Sequence, residues 1–313
     1  VETMQDLRGR TVSFIRRNNT GGTFGETAWM PGGEFWIAWS EGGGMIDSET
    51  GSVMRGLGRV LIDLLTAGGV PVDLGRAQAA RGRLDRFLID AVISEPTRPE
   101  DWIASNVGSL LPLLRFETPA GVWYELAKYD ATPADVVAHL VGDPPDEQSQ
   151  SGIPVVQPDR FQYTDLGAVE NDLTLRYLLS ANGYHRTVRL NGAEQGSATA
   201  SARAEYPSPL LAASTTRYGS RPVELAATWI ADDATAVLAL QTRARWVGFA
   251  RRRFTVEGGS DLFEIRPNDV VTYSRAAVGL SDALALVLDV RVSLDRVELD
   301  LELLERPTQR GRI

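Results

Sequence analysis

The stretch ALALVLDVRVSLDRVELDLELLE, residues 283–305, constrains the fold more than any other. Apolar and polar residues alternate over LDVRV and again over VELDLEL, with SLDR between the two runs. Successive side chains of a strand point to opposite faces, so a period of two puts the valines and leucines on one face and the charges on the other. The break at SLDR folds the segment into an antiparallel hairpin, one face for a core and one for water. A chain that closes this way is built around a sheet. Its 30 glycines and 16 prolines, spread throughout, also favour strands and turns over a helical bundle.

At 313 residues with 43% hydrophobic content, the chain has material for two or three domains with real cores. Its net charge of −9 argues against nonspecific nucleic-acid binding, which needs an excess of Lys and Arg to neutralise phosphates. With no cysteine there are no disulfides, thiolate nucleophiles or thiolate metal sites. The two histidines, His139 and His185, fall short of a usual zinc set. No G-x-S-x-G elbow, G-x-G-x-x-G turn, Walker loop or H-E-x-x-H occurs. The first twenty residues lack the continuous apolar core of a signal peptide, and no run of about 18 apolar residues could span a membrane. No cofactor, metal site or catalytic residue is expected.

Along the chain, TVSFIRR, a turn at NNTGG and the aromatic strand EFWIAWSEGGG form a β-rich opening. Trp29, Trp36 and Trp39 cluster there as a candidate platform for a sugar or a partner, with a small β core as the plainer reading. From Ser52 the period changes to that of a helix, with Val53, Leu57, Val60, Leu61, Leu64 and Leu65 on one face and Gly68–Gly69 as its stop. LGRAQAARGRL reads as a second helix and DRFLIDAVI as a strand.

SEPTRPEDWIASNVGSLLP, residues 94–112, carries three acids beside a tryptophan. Thr97 and Glu100 are spaced as a capping box, with Thr97 at the N-cap, and Trp102 heads the apolar face behind them. The acids are therefore helix-start chemistry rather than a catalytic pair, and Trp102 is expected to be a core anchor. LLRFETPAGVWYEL predicts a hairpin turning at TPAG, and ADVVAHL a short helix that would carry His139. GDPPDEQSQSGIP, residues 142–154, is polar, proline-containing and without period, as a linker would be. Strands follow in ENDLTLRYLL and YHRTVRLNG, a helix in SPLLAASTTRYG, a strand in RPVELAATW and an acid-capped helix in DDATAVLALQTRARWVGFA. Arg251–Arg253 read as a solvated strand edge or a subunit contact rather than a phosphate site.

Several of these segments together resemble the tail hub proteins of tailed bacteriophages, related to contractile-tail baseplate hubs and type VI secretion spikes. The carriers are LIDLLTAGGVPVD with RGRLDRFLIDAVISEPTRPEDWIASNVGSLLPLL, then VENDLTLRYLL. The third is ELAATWIADDATAVLALQTRARWVGFARRRFTVEGG with EIRPNDVVTYS, where Pro267 and Asp269 mark the turn before the final hairpin. The resemblance covers much of residues 52–306. It implies an α+β, β-rich fold with two tail-tube-like β-barrel domains and an inserted α/β domain. The expected division is an N-terminal β segment at 1–51, the insertion domain at 52–141, the linker at 142–154 and a barrel-rich region at 155–313.

The resemblance further implies a non-enzymatic homotrimer that adapts a sixfold tail tube to a threefold tip. Its partners would be the tail tube or distal tail protein and the tip or fibre proteins, and DNA would pass its lumen without specific binding. The location would be the virion, after assembly in the host cytoplasm. A receptor- or carbohydrate-binding tail protein using Trp29, Trp36 and Trp39 is the alternative, with a cell-wall hydrolase behind it.

Overall fold

The computed structural model describes residues 2–5, 11–14, 28–30, 34–36, 55–89, 97–142, 152–156, 161–177, 186–192, 203–230, 232–294 and 296–304. Its first elements are the strands β1 (Glu2–Gln5), β2 (Thr11–Phe14), β3 (Ala28–Met30) and β4 (Glu34–Trp36), then the helices α1 (Leu57–Ala67), α2 (Leu74–Leu84) and α3 (Pro99–Trp102). Strands β5 (Leu113–Thr118), β6 (Gly121–Leu126), β7 (Val136–Val141), β8 (Ile153–Pro154), β9 (Gln162–Tyr163), β10 (Asp172–Tyr177), β11 (Arg186–Asn191) and β12 (Arg203–Pro207) follow. The chain continues with α4 (Pro209–Tyr218), β13 (Pro222–Ala227), α5 (Asp233–Val247), β14 (Arg252–Gly258), β15 (Val270–Arg275), β16 (Leu280–Val292) and β17 (Val297–Leu303).

They gather into two compact units made of interleaved segments. The first holds Val1–Leu126, Leu173–Pro207 and Pro222–Arg243, and the second holds Ala127–Asp172, Ser208–Arg221 and Ala244–Ile313. Of the expected linker, residues 143–151 lie outside the described ones, and Ile153–Pro154 join a sheet beside β7. No helix among the described residues is long and apolar enough to cross a membrane.

In the first unit α1 buries the face its spacing predicts, with Leu57, Val60, Leu61, Leu64 and Leu65 all at most 2% exposed. It stops at Gly69, whose φ of +72° lets the Val70 N–H turn back to the Leu65 carbonyl at 2.9 Å. α2 begins at Asp73, whose carboxylate accepts from the Arg76 N–H at 3.2 Å. Hairpin β5–β6 turns at TPAG in the predicted register, Thr118 opposite Gly121. Gly121 holds φ +135°, and a Cβ there would lie 2.6 Å from the Pro71 carbonyl, so only glycine lets the GVPVD segment cross so close. The DRFLIDAVI strand does not form where it is described: Leu88 makes one isolated bridge to Gly56, and residues 90–93 lie outside the described ones.

The helix behind EP…W is present, but its start corrects the expected capping box. Arg98 takes the N-cap place with no side-chain cap, and Pro99 is the first helical residue. The reason lies in Pro99, whose ring bars the preceding residue from the helical region, so Arg98 cannot be inside a helix begun by Thr97. α3 then runs into a π turn over Ile103–Val107. Trp102, Ile103, Val107, Leu110 and Leu111 are all buried.

The four-stranded sheet of this unit has the order β12-β11-β10-β13, with β10 antiparallel to β11 and β11 parallel to β12. Asp233, in the first turn of α5, accepts from the Tyr177 hydroxyl at 2.7 Å and from Arg186 Nη1 at 2.9 Å. The tyrosine bond, and then Arg186, hold the Asp233 carboxyl below its usual value. Such a carboxylate stabilises the fold fully above its unfolded value of about 3.9, and the contribution is lost as pH falls through the lower folded value. Asp233→Asn is therefore expected to flatten the acid limb of a urea-midpoint profile taken from neutral to acid pH. The site is well exposed, so the effect stays below about 1 kcal/mol, and an unchanged acid limb would count against the linkage.

In the second unit a seven-stranded sheet runs β8-β7-β15-β16-β17-β14-β9. Its core is the apolar alternation of the final hairpin: Val287, Val297, Leu299, Leu301 and Leu303 are fully buried with Phe254, Val256, Val271 and Tyr273. The sheet curls until its edges share a strand. Ile153 and Pro154 pair with β7, while Val156 exchanges two backbone hydrogen bonds with Glu257 of β14, at 2.7 and 2.8 Å. ADVVAHL corrects another expectation. Pro133–Asp135 form one 3₁₀ turn inside a Thr132–Asp135 capping box, and Val136–Val141 are a strand parallel to β15. His139 therefore sits on β7, exposed, with Nδ1 2.7 Å from Thr272 Oγ1.

The RPND turn pins the base of the final hairpin. The Asp269 N–H donates to the Arg266 carbonyl at 3.0 Å, Pro267 takes the second position, and Asn268 the third at φ +71°. Asn268 is 1% exposed; its N–H donates to Val287 O at 2.7 Å and its Oδ1 accepts from the Lys128 N–H at 3.0 Å. Asn268→Ala loses both the left-handed tolerance and that acceptor, at an expected cost of roughly 2–3 kcal/mol. Asn268→Gly loses only the acceptor, so its denaturation midpoint should fall between wild type and alanine; equal midpoints for the two variants would show that the backbone conformation contributes nothing.

Candidate assembly surface

Beneath α1, between Leu61, Ile62 and Trp123, a void of about 10 Å³ has room for at most one water. Among the described residues no three His, Asp or Glu side chains converge as a metal site would require. The second unit presents a broad strand face that ends in the turn of the final hairpin.

β15 pairs with β16 only as far as Leu286, and the RPND turn reaches Val287. Beyond that level β16 still pairs with β17, from Asp289–Asp300 to Val292–Val297, and β14 flanks β17 as far as Val297, so only the turn closed by the Ser293 N–H on the Arg296 carbonyl at 2.9 Å extends past the paired strands. Val292 is 61% exposed and Leu294, at the tip, fully so. Phe263, Val156 and Tyr163 add exposed apolar surface elsewhere on the unit.

The polar residues of the alternation form an ion-pair ladder across β16, β17 and β14. Arg291 reaches Asp289 and Glu298, each at 3.3 Å, and also pairs with Asp300. Thr255 donates to Asp300 at 2.6 Å, and Arg296 reaches Glu257 at 2.9 Å. These pairs are exposed and each contributes little to stability; what they fix is the pattern of charge that the face shows to a partner.

At the other end of the ladder the charges go inside, which corrects the solvated-edge reading of Arg251–Arg253. Glu302 is 1% exposed and lies between Arg253, with which it pairs, and Arg251, whose Nε is 3.4 Å from Oε1. Arg251 is buried, stacks 4.8 Å from the Tyr129 ring centroid and donates to the Arg245 carbonyl. Burial pulls its guanidinium below the ordinary value, and Glu302 opposes that. Burial, and next Glu302, push the Tyr129 phenol up. Only Arg253 keeps the exposure expected of an edge, and Arg252 lies over Phe161.

The residues singled out in the sequence fall on several different elements. Trp29 and Trp36 lie on hairpin β3–β4, in a register that sets Trp29 opposite Phe35 and Ala28 opposite Trp36; Trp39 is outside the described residues. Thr97 and Glu100 belong to the first unit, where Glu100 Oε1 takes Arg115 Nε at 3.0 Å and Nη2 at 2.9 Å. Trp102 is buried at 9% exposure. Pro267 and Asp269 form the hairpin-base turn, with Asp269 Oδ2 accepting from the Arg266 N–H at 2.8 Å. Sequence reasoning missed Asn268 and Glu302. The first was flagged only by its place in a turn motif, and the second sits in an outward step of the alternation and carried no signal.

No protein-family model and no curated protein matches the chain. Among solved structures it is similar to the 43 kDa tail protein of prophage MuSo2 from Shewanella oneidensis, with TM-score 0.42 and 13% identity over 82% of this chain and 68% of that one. It is also similar to the tail protein from Neisseria meningitidis MC58, with TM-score 0.39 and 16% identity over 69% and 58%. A third likeness is to a chain of the native gene transfer agent virion, with TM-score 0.42 and 12% identity over 80% and 47%. The chain thus spans less than two thirds of the second and third. These structural neighbours are phage tail and virion proteins.

Proposed function

We propose that this chain is a structural subunit of a phage tail, the hub at the tail tip or baseplate. The observation that carries the proposal is the second unit: a curled sheet with the RPND turn against β16 and a charge ladder across β16, β17 and β14. A face of this kind suits protein assembly, where complementary charge sets the partner and exposed apolar residues supply the burial. The order of segments that resembles phage hubs supports the same reading, from α1 and the GVPVD crossing, through the EP…W helix, to β13, α5, β14 and the RPND turn.

In this reading three copies form a ring in which six barrel domains meet the sixfold tube, tip or fibre proteins attach below, and the ring encloses part of the DNA channel. Three copies of −9 give −27, and like charge along a lumen keeps DNA from sticking during passage. Multi-angle light scattering of the purified chain and rotational averaging of electron micrographs test it. A threefold particle of three chain masses is expected, and a stable monomer at micromolar concentration would overturn the hub assignment.

A further inference from the structure

Among the described residues the outer edge of β16 beyond Val287 is open. Because the Ser293 N–H bonds to the Arg296 carbonyl, residues 293 and 296 are a hydrogen-bonded pair. Antiparallel pairing alternates, so Arg291 and Asp289 bond toward β17, while the N–H and C=O groups of Val290 and Val292 point away from it. Among the described residues nothing pairs with that outer side, since β15 stops at Leu286 and the RPND turn at Val287. Two outward-facing residues with an apolar, exposed tip beside them are a template for another strand.

One of these donors is already taken. Asp289 Oδ1 accepts from the Val290 N–H at 2.9 Å, and the second oxygen of the same carboxylate lies 3.3 Å from Arg291 Nε, which holds it in place. We propose that Asp289 guards this edge: its carboxylate occupies the Val290 N–H and so blocks strand addition by the same edge of a second copy. A second copy is the occupant to which the edge is exposed, because an outward donor–acceptor pair in one hairpin meets its own complement when the copy lies antiparallel. This inference does not rest on the tail reading: a monomeric wild type would overturn that reading and leave this one standing.

Sedimentation velocity over a concentration series tests the guard. Asp289→Ala frees the N–H in both copies, and association beyond the wild-type species is expected to set in at about hundredfold lower concentration, what two added net hydrogen bonds of roughly 1.4 kcal/mol each, one from each copy, give. Asp289→Asn keeps one acceptor oxygen to share between the Val290 N–H and Arg291, so its association should fall between wild type and Asp289→Ala. Combining Asp289→Ala with Val290→Pro removes the freed N–H at a position where an edge strand tolerates proline, and should return the wild-type profile. Circular dichroism confirms that each variant is folded. A wild-type profile for Asp289→Ala, or equal association of Asp289→Ala and Asp289→Asn, would overturn the proposal.

Discussion

Replacing Glu302 with alanine is expected to cost roughly 3–5 kcal/mol, the usual result of stripping a buried ion pair of one partner. The carboxylate is 1% exposed and faces two guanidinium groups. Without it Arg251, itself buried, keeps its charge among apolar neighbours and the Tyr129 ring, and its contact with the Arg245 carbonyl does not neutralise it. Hydrogen exchange of the β14 and β17 amides reads the loss where it occurs, since these strands pair from Arg253–Glu302 to Gly258–Val297. Arg253→Ala should cost only about 0–1 kcal/mol, because that arginine is half in water. The double change Arg251→Met with Glu302→Leu should come back close to wild type, as apolar replacement of a whole buried pair often does. Unchanged exchange in Glu302→Ala would show that the cluster is not a stabilising element.

Truncating Trp229 should be as costly in the first unit. Trp229 is 1% exposed, and its Nε1 donates to the Asn106 carbonyl at 3.0 Å. Asn106 lies in the π turn, where carbonyls are displaced from ordinary helical partners, and Arg243 Nη1 caps the nearby Ser109 carbonyl at 2.5 Å. Trp229→Ala is expected to lose roughly 3–5 kcal/mol through cavity formation. Trp229→Phe keeps most of the volume, loses the hydrogen bond and should cost about 1–3 kcal/mol. Urea denaturation followed by helical circular dichroism separates them. If phenylalanine proved as damaging as alanine, the hydrogen bond to the π turn rather than the packing would dominate.

Both sites show how far local pattern reaches. Alternation over residues 288–303 settled the final hairpin, its turn at 293–296 and the buried face of β17, whereas on β16 Val292 is 61% exposed. Helical spacing with a glycine stop settled α1, and an acid cap settled α5, where Asp232 accepts from the Thr235 N–H at 2.8 Å; the structure adds a serine cap to α4, Ser208 accepting from the Leu211 N–H at 3.3 Å. These elements need only neighbours within a few residues, so the sequence alone determined them. β7 needed more. Val136–Val141 is too short for its period to decide between helix and strand, and it is the pairing with β15, over 130 residues further on, that makes it a strand. The same holds for Glu302, whose outward step in the alternation reads as solvated until Arg251, Arg253 and Tyr129 close over it. Thr97 is the local counterpart: a capping spacing that Pro99 overrules by forcing Arg98 out of the helix. The sequence by itself determined which segments are helix, strand and turn wherever one periodic face must be buried. Only the tertiary structure decided which charges are dry, which edge of the last hairpin is unpaired among the described residues and which segment closes the sheet, because each depends on groups brought together from distant parts of the chain.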